Sequence, residues 1–182
     1  MNIFKRTPAA VPAPEDCLPG RSTPIPTASE HYVTGRPIKP PFPANMRSIV
    51  FGMGCFWGAE RLFWEVPGVY TTSAGYGGGT TPNPTYEETC TSRTGHTEAV
   101  IVVFDPAEVD LEALFKVFWE NHDTTQYMGQ GNDIGSQYRS AIYAADDEQQ
   151  AAAVASRERY QSERKDHGFG KIQTEIAMAG EV

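Results

Sequence analysis

The sequence has few cysteines, a deficit of positive charge and no long apolar run. Three cysteines in 182 residues are too few, and odd in number, for the disulfide framework of a secreted domain, but they leave room for a reactive thiol. Lys and Arg total 15 against 23 Asp and Glu, which gives a net charge of −8. This acidity argues against nucleic acid or an anionic membrane surface as the main partner.

Apolar residues are nowhere gathered into a membrane span. The longest uninterrupted run, Ala99 to Phe104, has six residues, whereas a transmembrane helix needs about 20. The first residues contain no apolar core of signal-peptide length. We therefore expect a cytoplasmic protein, and we predict that it is a monomer.

Proline divides the chain into two segments. Ten of the 14 prolines lie in residues 1–43, where no period of 2 or 3.6 residues is sustained. Residues 1–44 are therefore predicted to form an irregular, proline-rich arm that is either mobile or wrapped over the domain. Residues 45–182 are predicted to form one folded domain, as the length of the chain favours.

Hydrophobic periodicity in residues 45–182 predicts alternating strands and helices. Strands are expected over 48–52, 69–77, 96–104, 138–144 and 172–178, helices over 57–65, 111–119 and 147–165, and one or two helical turns over 85–91. Asp110, and Asp146 with Gln149, are predicted helix caps. One strand pair lacks a full helix between its members. This order favours an α+β fold, a two-layer α/β sandwich with a mixed sheet.

The chemistry centres on Cys55, which lies between glycines in the stretch 52–58, where a predicted strand ends and a helix begins. Backbone N–H groups and the helix dipole favour negative charge at such a position. A thiol there ionises more readily, and the thiolate is the reactive form. Phe56 and Trp57 follow it directly and predict a small apolar pocket of the size of a methyl group or thioether. The competing interpretation is a buried, inert cysteine among core aromatics.

Cys55 and Arg61 also match the C-x5-R spacing of cysteine phosphatases. Such a loop needs small residues so that successive N–H groups can wrap a phosphate. The bulky Phe56 and Trp57 and the immediate helix start make this a weak alternative.

Glu98 lies at the start of the most strand-like segment, beside the apolar residues that follow it. Burial would raise its pKa and make it a proton donor near neutrality, but the pattern alone favours an outward-facing side chain. Tyr86 and Tyr138 end two polar loops, and their hydroxyls can donate hydrogen bonds to an oxygen that gains charge. Individually, such tyrosines are more often packing residues.

The histidines show no metal-ligand spacing. All four are predicted to be structural: His31, His96, His122 and His167. The glycine run 77–79 is not followed by the Lys-Ser or Lys-Thr of a phosphate-binding loop.

Six motifs in order resemble the peptide methionine sulfoxide reductase A family and cover about residues 46–177. They are Gly54-Cys55-Phe56-Trp57-Gly58, Ala74-Gly75-Tyr76-Gly77-Gly78-Gly79, Asn83-Pro84-Thr85-Tyr86, Gly95-His96-Thr97-Glu98, Phe118-Trp119-Glu120-Asn121-His122-Asp123, and Gly131-Asn132-Asp133 through Tyr138-Arg139-Ser140. Leu18-Pro19-Gly20-Arg21 in the arm is similar to the longer bacterial members. The fold that the resemblance implies is ferredoxin-like, with residues 45–182 as the catalytic domain.

The resemblance also implies roles for individual residues. Cys55 would be the nucleophile and Glu98 the acid that protonates the sulfoxide oxygen. Tyr86 and Tyr138 would bind that oxygen, with Asp133 in the same polar network. Phe56 and Trp57 would hold the substrate methyl group.

The implied reaction is reduction of methionine (S)-sulfoxide, free or in proteins, through a cysteine sulfenic acid. A second thiol then forms a disulfide with that cysteine, and thioredoxin reduces the disulfide to restore the thiol. No metal or organic cofactor is needed. Family members continue into a C-terminal tail that often carries resolving cysteines, and this sequence ends at Val182 without one. We therefore expect slow recycling, with Cys90 as the possible resolving thiol. The alternative from another class is a non-catalytic redox sensor or a methionine-sulfoxide-binding protein.

Overall fold

The computed structural model describes residues 10–180. The strands are β1 (Arg47–Met53), β2 (Val69–Gly77), β3 (Thr97–Phe104), β4 (Gly129–Gln130), β5 (Asp133–Ile134), β6 (Ser140–Ala144) and β7 (Glu175–Met178). The helices are α1 (Phe56–Trp64), α2 (Tyr86–Cys90), α3 (Leu111–Glu120) and α4 (Asp147–Asp166), with short 3-10 turns at Pro14–Asp16 and Ser136–Tyr138. Within residues 10–180, no helix is both long and apolar enough to cross a membrane.

The main sheet is mixed and five-stranded, in the order β2-β3-β1-β6-β7. β1 pairs antiparallel with β3 and β6, β2 pairs antiparallel with β3, and β7 pairs parallel with β6. β4 and β5 form a separate hairpin. The predicted α+β, two-layer arrangement with a mixed sheet is confirmed.

The hydrophobic core lies between one face of the sheet and the helices α1, α3 and α4. Phe51 of β1 is completely buried at its centre. Its ring stacks on Phe63 of α1 at 4.7 Å and meets Phe118 of α3 at 5.4 Å. Burial of such large side chains stabilises the fold by about 2 kcal/mol each, and it fixes α1 on the sheet.

Most predicted elements are confirmed, with differences at their ends. Asp110 caps α3 as predicted, since its carboxylate accepts from the N–H of Ala113 at 2.8 Å. Asp146 caps α4, but Gln149 does not complete a capping box with it. The Gln149 side chain accepts from the Ala145 N–H instead. Its amide donates to the Ser48 carbonyl, which ties α4 to β1.

The last two strands begin later than the periodicity predicts. The segment before β6 forms the 3-10 turn Ser136–Tyr138. Before β7, the N–H of Ile172 donates to the Gln161 side chain and that of Gln173 to the Thr124 carbonyl. These peptide groups are therefore not available for the sheet.

The proline-rich arm lies against the domain, the second of the two predicted arrangements. His31 is buried, and its Nε2 lies 3.0 Å from the Thr72 hydroxyl of β2. Arg36 donates to the Tyr70 carbonyl at 3.1 Å and lies over the Tyr70 ring. Residues 1–9 of the arm lie outside the described residues, and the domain boundary at residue 44 stays a prediction.

Candidate active site

Cys55 is the N-cap of α1 and lies between the end of β1 and the start of that helix. Gly54 before it has φ +85°, and a Cβ on Gly54 would lie 2.5 Å from the Cβ of Gln130. Only glycine therefore fits between the β4–β5 hairpin and the cysteine. The Cys55 thiol makes no capping hydrogen bond, and the residue is exposed. The inert, buried cysteine is excluded, and the sulfur is open to a substrate.

Glu98 is buried, with 2% of its surface exposed. The outward-facing position that the pattern favoured is wrong, because β3 is an inner strand that pairs on both sides and Glu98 shares a face with Val100 in the core. Its carboxylate accepts a hydrogen bond from the Phe56 N–H at 3.1 Å. Burial raises the pKa of Glu98, the Phe56 N–H opposes the rise, and the charge of Asp133 adds to it. A buried carboxyl with a raised pKa therefore lies beside the residue that follows Cys55.

Tyr86 and Tyr138 both lie near Glu98. Burial, followed by the charges of Glu98 and Cys90, raises the pKa of Tyr138 to about 12. A hydrogen bond with Cys90 is the largest influence that raises the pKa of Tyr86, and the charges of Glu98 and Cys55 act in the same direction. Both hydroxyls are therefore protonated donors at neutral pH.

Asp133 lies on β5, in the hairpin that packs against Gly54. It is exposed, but its charge is close enough to raise the pKa values of both Glu98 and Tyr138. Asp133 is thus brought to the same side of the molecule as the other predicted site residues.

Tyr76, which the sequence reasoning missed, lies in the same cluster as the predicted site residues. It stands opposite Glu98 in the β2–β3 pairing, and burial followed by the charge of Glu98 raises its pKa to about 12. Its ring lies 5.7 Å from that of Phe56. The signal that could have found it is strand register, since an antiparallel pairing of 69–77 with 97–104 sets Tyr76 against Glu98.

Phe56 and Trp57, the predicted pocket residues, have different surroundings. Phe56 is half-buried against Tyr76 and packs on the edge of the core. Trp57 is 77% exposed in the first turn of α1. Phe56 therefore forms a fixed wall beside Cys55, whereas Trp57 is a large apolar side chain open to whatever approaches the thiol.

Cys90 ends α2, one turn after Tyr86, and is exposed. The charge of Cys90 raises the pKa values of Tyr76, Tyr86 and Tyr138. The predicted resolving thiol therefore belongs to the same cluster as the tyrosines. No disulfide joins Cys55 to Cys90.

The C-x5-R alternative does not form a phosphate loop. α1 begins at Phe56, directly after the cysteine, so no wrapped loop separates Cys55 from Arg61. The Arg61 guanidinium donates to Glu65, one turn further along the helix, at 2.9 Å. The phosphatase interpretation is therefore wrong.

His96, which is buried, and His122, which is half-buried, are held by hydrogen bonds within the fold. His96 lies 2.8 Å from the Thr81 carbonyl through Nε2, and its Nδ1 accepts from the Gly79 N–H at 3.2 Å. His122 contacts the Phe118 carbonyl and the Ser140 hydroxyl, each at 2.7 Å. In the part of the chain that the structure describes, no three His, Cys, Asp or Glu side chains are grouped so as to hold a metal ion.

Known proteins resemble this chain over nearly its whole length. The sequence profile of the family described as "Peptide methionine sulfoxide reductase" matches residues 47–181. Peptide methionine sulfoxide reductase MsrA of Rhodospirillum centenum is 59% identical over 179 residues, which are 98% of this chain and 82% of that protein. MsrA of Azotobacter vinelandii is 62% identical over 93% of this chain and 79% of its own length.

Solved structures agree with this assignment. Methionine sulfoxide reductase A of Corynebacterium diphtheriae superposes with a TM-score of 0.86 at 46% identity, covering 93% of this chain and 80% of that one. Reduced Mxr1 from Saccharomyces cerevisiae gives a TM-score of 0.71 at 28% identity, covering 77% and 80%. Mxr1 is also known in complex with Trx2. With this fold, these motifs and an exposed cysteine beside a buried carboxyl, the chain belongs to the peptide methionine sulfoxide reductase family.

Proposed function

We propose that Cys55 and Glu98 carry out the reduction of methionine sulfoxide to which the family assignment points. The observation that carries this proposal is the Phe56 N–H bond to the Glu98 carboxylate at 3.1 Å. It fixes a buried acid next to an exposed thiol at a helix start. A nucleophile and a proton donor are the two groups that a sulfoxide needs.

In the first step, the Cys55 thiolate attacks the sulfoxide sulfur while Glu98 delivers a proton to the oxygen. The sulfur–oxygen bond of the substrate breaks, and methionine leaves. In net terms the oxygen passes to Cys55, which becomes a sulfenic acid. The substrate sulfur is reduced by two electrons, and the cysteine sulfur is oxidised by two.

The tyrosine hydroxyls stabilise the sulfoxide oxygen of the substrate, which gains negative charge before it is protonated. Tyr86 and Tyr138 have raised pKa values and stay protonated, so they can donate hydrogen bonds throughout the step. We add Tyr76 to this set, because it stands opposite Glu98. Asp133 helps to keep the Glu98 proton in place, since its charge disfavours ionisation of Glu98.

The apolar wall of Phe56 receives the methyl group of the substrate, and the exposed Trp57 closes over it. A sulfoxide sulfur is chiral, and each epimer needs its own enzyme. With oxygen donors on one side and the methyl wall on the other, the site accepts one epimer, which is the S form in the MsrA family.

Recycling returns the Cys55 sulfenic acid to the thiol. One dithiol supplies two electrons, becomes a disulfide and releases water. Thioredoxin fills this role in our proposal, in line with the Mxr1 complex with Trx2, and Cys90 is the internal thiol nearest to the tyrosines. We place the protein in the cytoplasm, where a reduced cysteine pool persists.

A single-turnover experiment tests the first step. The reduced protein is mixed with the S or the R sulfoxide of a methionine peptide, and methionine is counted before any reductant is added. We expect one methionine per chain from the S epimer alone, and a Cys55 sulfenic acid detected by mass spectrometry after trapping.

Cys55→Ser is expected to abolish this product, because a hydroxyl is a far weaker nucleophile at neutral pH. Cys17→Ser in the arm is the matched control and should retain wild-type yield. Activity of Cys55→Ser above about a tenth of wild type would contradict the assignment. Sulfoxide binding without methionine would instead identify a binding protein or a sensor.

A further inference from the structure

The arm segment Leu18–Arg21, which we call segment 18–21, is fastened to the loop that leads into α2. Its contacts all have ordinary hydrogen-bond lengths. The Leu18 N–H donates to the Arg93 carbonyl at 2.8 Å, the Thr81 hydroxyl donates to the Leu18 carbonyl at 2.9 Å, and the Arg21 N–H donates to the Pro82 carbonyl at 3.0 Å. These bonds reach both ends of α2, since Arg93 follows that helix and Pro82 precedes it.

Gly20 makes the approach possible. Its φ is +62°, and a Cβ at this position would lie 2.2 Å from the Pro82 carbonyl oxygen. Any other residue would push the arm away from the loop. The close contact therefore depends on glycine at this position.

The Arg21 side chain makes the most specific contacts of the segment. Its Nη1 donates to the Asn83 carbonyl and its Nη2 to the Glu88 carboxylate, both at 2.8 Å. In return, the Asn83 side-chain amide donates to the Arg21 carbonyl at 2.8 Å. Asn83 itself has φ 48°, so this exchange holds a loop residue in the left-handed region.

Glu88 is shared between the arm and the cap of α2. One of its oxygens accepts from Arg21, and the other accepts from the Thr85 N–H at 2.9 Å. The Thr85 hydroxyl accepts from the Glu88 N–H in return, which completes a capping box. Arg21 thus holds the outer end of the side chain that defines the start of α2.

α2 depends on such support because it has only five residues. Helices this short are not stable alone and take their orientation from caps and contacts. Tyr86 is its first residue and is 52% exposed, so little packing holds the phenol. A displacement of about 1 Å at a catalytic group can cost up to about 100-fold in rate.

We propose that Arg21 is a positioning residue of the reductase, which acts through Glu88 and α2 to hold the Tyr86 hydroxyl toward the sulfoxide oxygen. This inference rests on the proposed role of Tyr86. It gives the arm a function in catalysis. The Arg21 side chain bonds to Asn83 and Glu88 and makes no hydrogen bond with Cys55.

The test compares variants in the first step, measured by quench-flow as methionine formed at saturating sulfoxide. Arg21→Ala should lower this rate roughly tenfold, within the range for a misplaced group, with a smaller change in KM. Arg21→Lys keeps a cation for Glu88 but cannot also reach Asn83 with a planar fork, so it should recover part of the rate. Arg36→Ala is the matched control, because it removes a different contact of the arm, the one to the Tyr70 carbonyl. Its first-step rate should stay within twofold of wild type.

The decisive readout is a double-mutant cycle with Tyr86→Phe. If Arg21 acts through the Tyr86 hydroxyl, Arg21→Ala should cost almost nothing further in the Tyr86→Phe background. The alkylation rate of Cys55 by iodoacetamide, followed on the Cys55 peptide, should be unchanged in every variant that keeps Cys55. If Arg21 only stabilised the fold, the rate losses of Arg21→Ala and Tyr86→Phe would multiply in the double variant, and the rate of Cys55 alkylation would change.

The outcomes separate the two proposals. A wild-type rate in Arg21→Ala, or losses that multiply in the double mutant, would overturn the role of Arg21. A wild-type rate in Tyr86→Phe would overturn the proposed role of Tyr86 and with it this inference. If Arg21→Ala does not fold, Arg21→Lys carries the same cycle, and a multiplied loss there would overturn the inference equally.

Discussion

Tyr76 and Glu98 stand directly opposite each other in the antiparallel pair of β2 and β3. Their side chains share the face that carries the helices, and the Glu98 carboxylate disfavours a negative charge on Tyr76. The charge of Glu98 adds to burial in raising the pKa of Tyr76 to about 12, and burial raises the pKa of Glu98. The pairing therefore places a phenol that keeps its proton opposite a buried carboxyl whose pKa is raised.

Removal of the Glu98 proton should slow the first step. Glu98→Gln keeps the shape and an acceptor for the Phe56 N–H, but it has no proton to give. We expect the single-turnover rate at neutral pH to fall by roughly 100-fold or more, as for other lost general acids. Glu98→Asp should retain part of the rate.

The pH profile of the first step provides a second check on Glu98. The acid works when protonated, so the wild-type rate should decline as the pH rises through its raised pKa. Glu98→Gln should lack that decline. An identical profile in both proteins would remove Glu98 from the mechanism.

Glu98→Gln should also stabilise the fold at neutral pH. Because the folded-state pKa of Glu98 lies above its ordinary value of 4.5, the unfolded chain loses the proton first as the pH rises. The wild type therefore loses stability between pH 4.5 and the folded-state pKa, by about 1.4 kcal/mol for each pH unit that separates the two pKa values. Glu98→Gln removes this loss.

Urea unfolding at pH 4 and pH 7 measures this effect. Glu98→Gln should gain stability relative to wild type at pH 7 and little at pH 4. Glu108→Gln, at an exposed position, is the control and should show no such difference. The burial argument would be contradicted if the free energy of unfolding of Glu98→Gln, measured relative to wild type, were lower at pH 7 than at pH 4.

Phe56 and Trp57 should contribute differently to substrate choice. Phe56 is fixed against Tyr76, so Phe56→Ala should weaken the preference for methyl over propyl sulfoxides by about 1–3 kcal/mol, the range for a methyl-sized contact. Trp57 is 77% exposed, and Trp57→Ala should mainly raise KM. The measurement is the ratio of kcat/KM for the methyl sulfoxide to kcat/KM for the propyl sulfoxide. An unchanged ratio in both variants would place the methyl pocket elsewhere.

Much of the fold could be predicted from local patterns. α3 follows directly from its period of 3.6 residues and β3 from its run of β-branched residues, and the glycine-flanked Cys55 marks the turn into α1. Sheet order could not be read in this way, because pairing joins distant segments. Tyr76 was missed for that reason. Its partner Glu98 is set by the register between two strands, and neither residue is distinctive in its own neighbourhood.

The arm shows the same limitation. Its composition indicates irregular structure, which is correct, but its place on the domain depends on contacts between residues far apart in sequence. Arg21 reaches Asn83 and Glu88, which lie 62 and 67 positions away. Burial of Glu98 was likewise hidden, since it depends on the helices that cover this face of the inner strand β3.

Recycling should be slower than the first step. Cys90 lies on α2, one turn after Tyr86, and no disulfide joins it to Cys55, so its thiol must approach Cys55 before it can attack a sulfenic acid there. We expect a burst of one methionine per chain, followed by slow turnover with thioredoxin, which a small dithiol accelerates. Cys90→Ser should leave the burst intact and lower only the thioredoxin-driven rate. Steady turnover at the burst rate in wild type would show that resolution is efficient.

His122 should make the fold sensitive to acid. Burial lowers its pKa to about 4 from an ordinary 6.5, against the opposing effect of the Phe118 carbonyl. A neutral ring fits its contacts, with one nitrogen donating to that carbonyl and the other accepting from the Ser140 hydroxyl. Between pH 6.5 and about 4 only the unfolded chain takes up this proton, so stability falls as the pH falls, by on the order of 3 kcal/mol in all.

Urea unfolding across this range should show a shallower pH dependence in His122→Gln than in wild type, whereas His167→Gln, at the exposed end of α4, should follow wild type. Parallel curves for His122→Gln and wild type would mean that the folded protein and the unfolded chain protonate His122 equally readily, which the Ser140 hydroxyl could accommodate only by turning its own proton away from the ring.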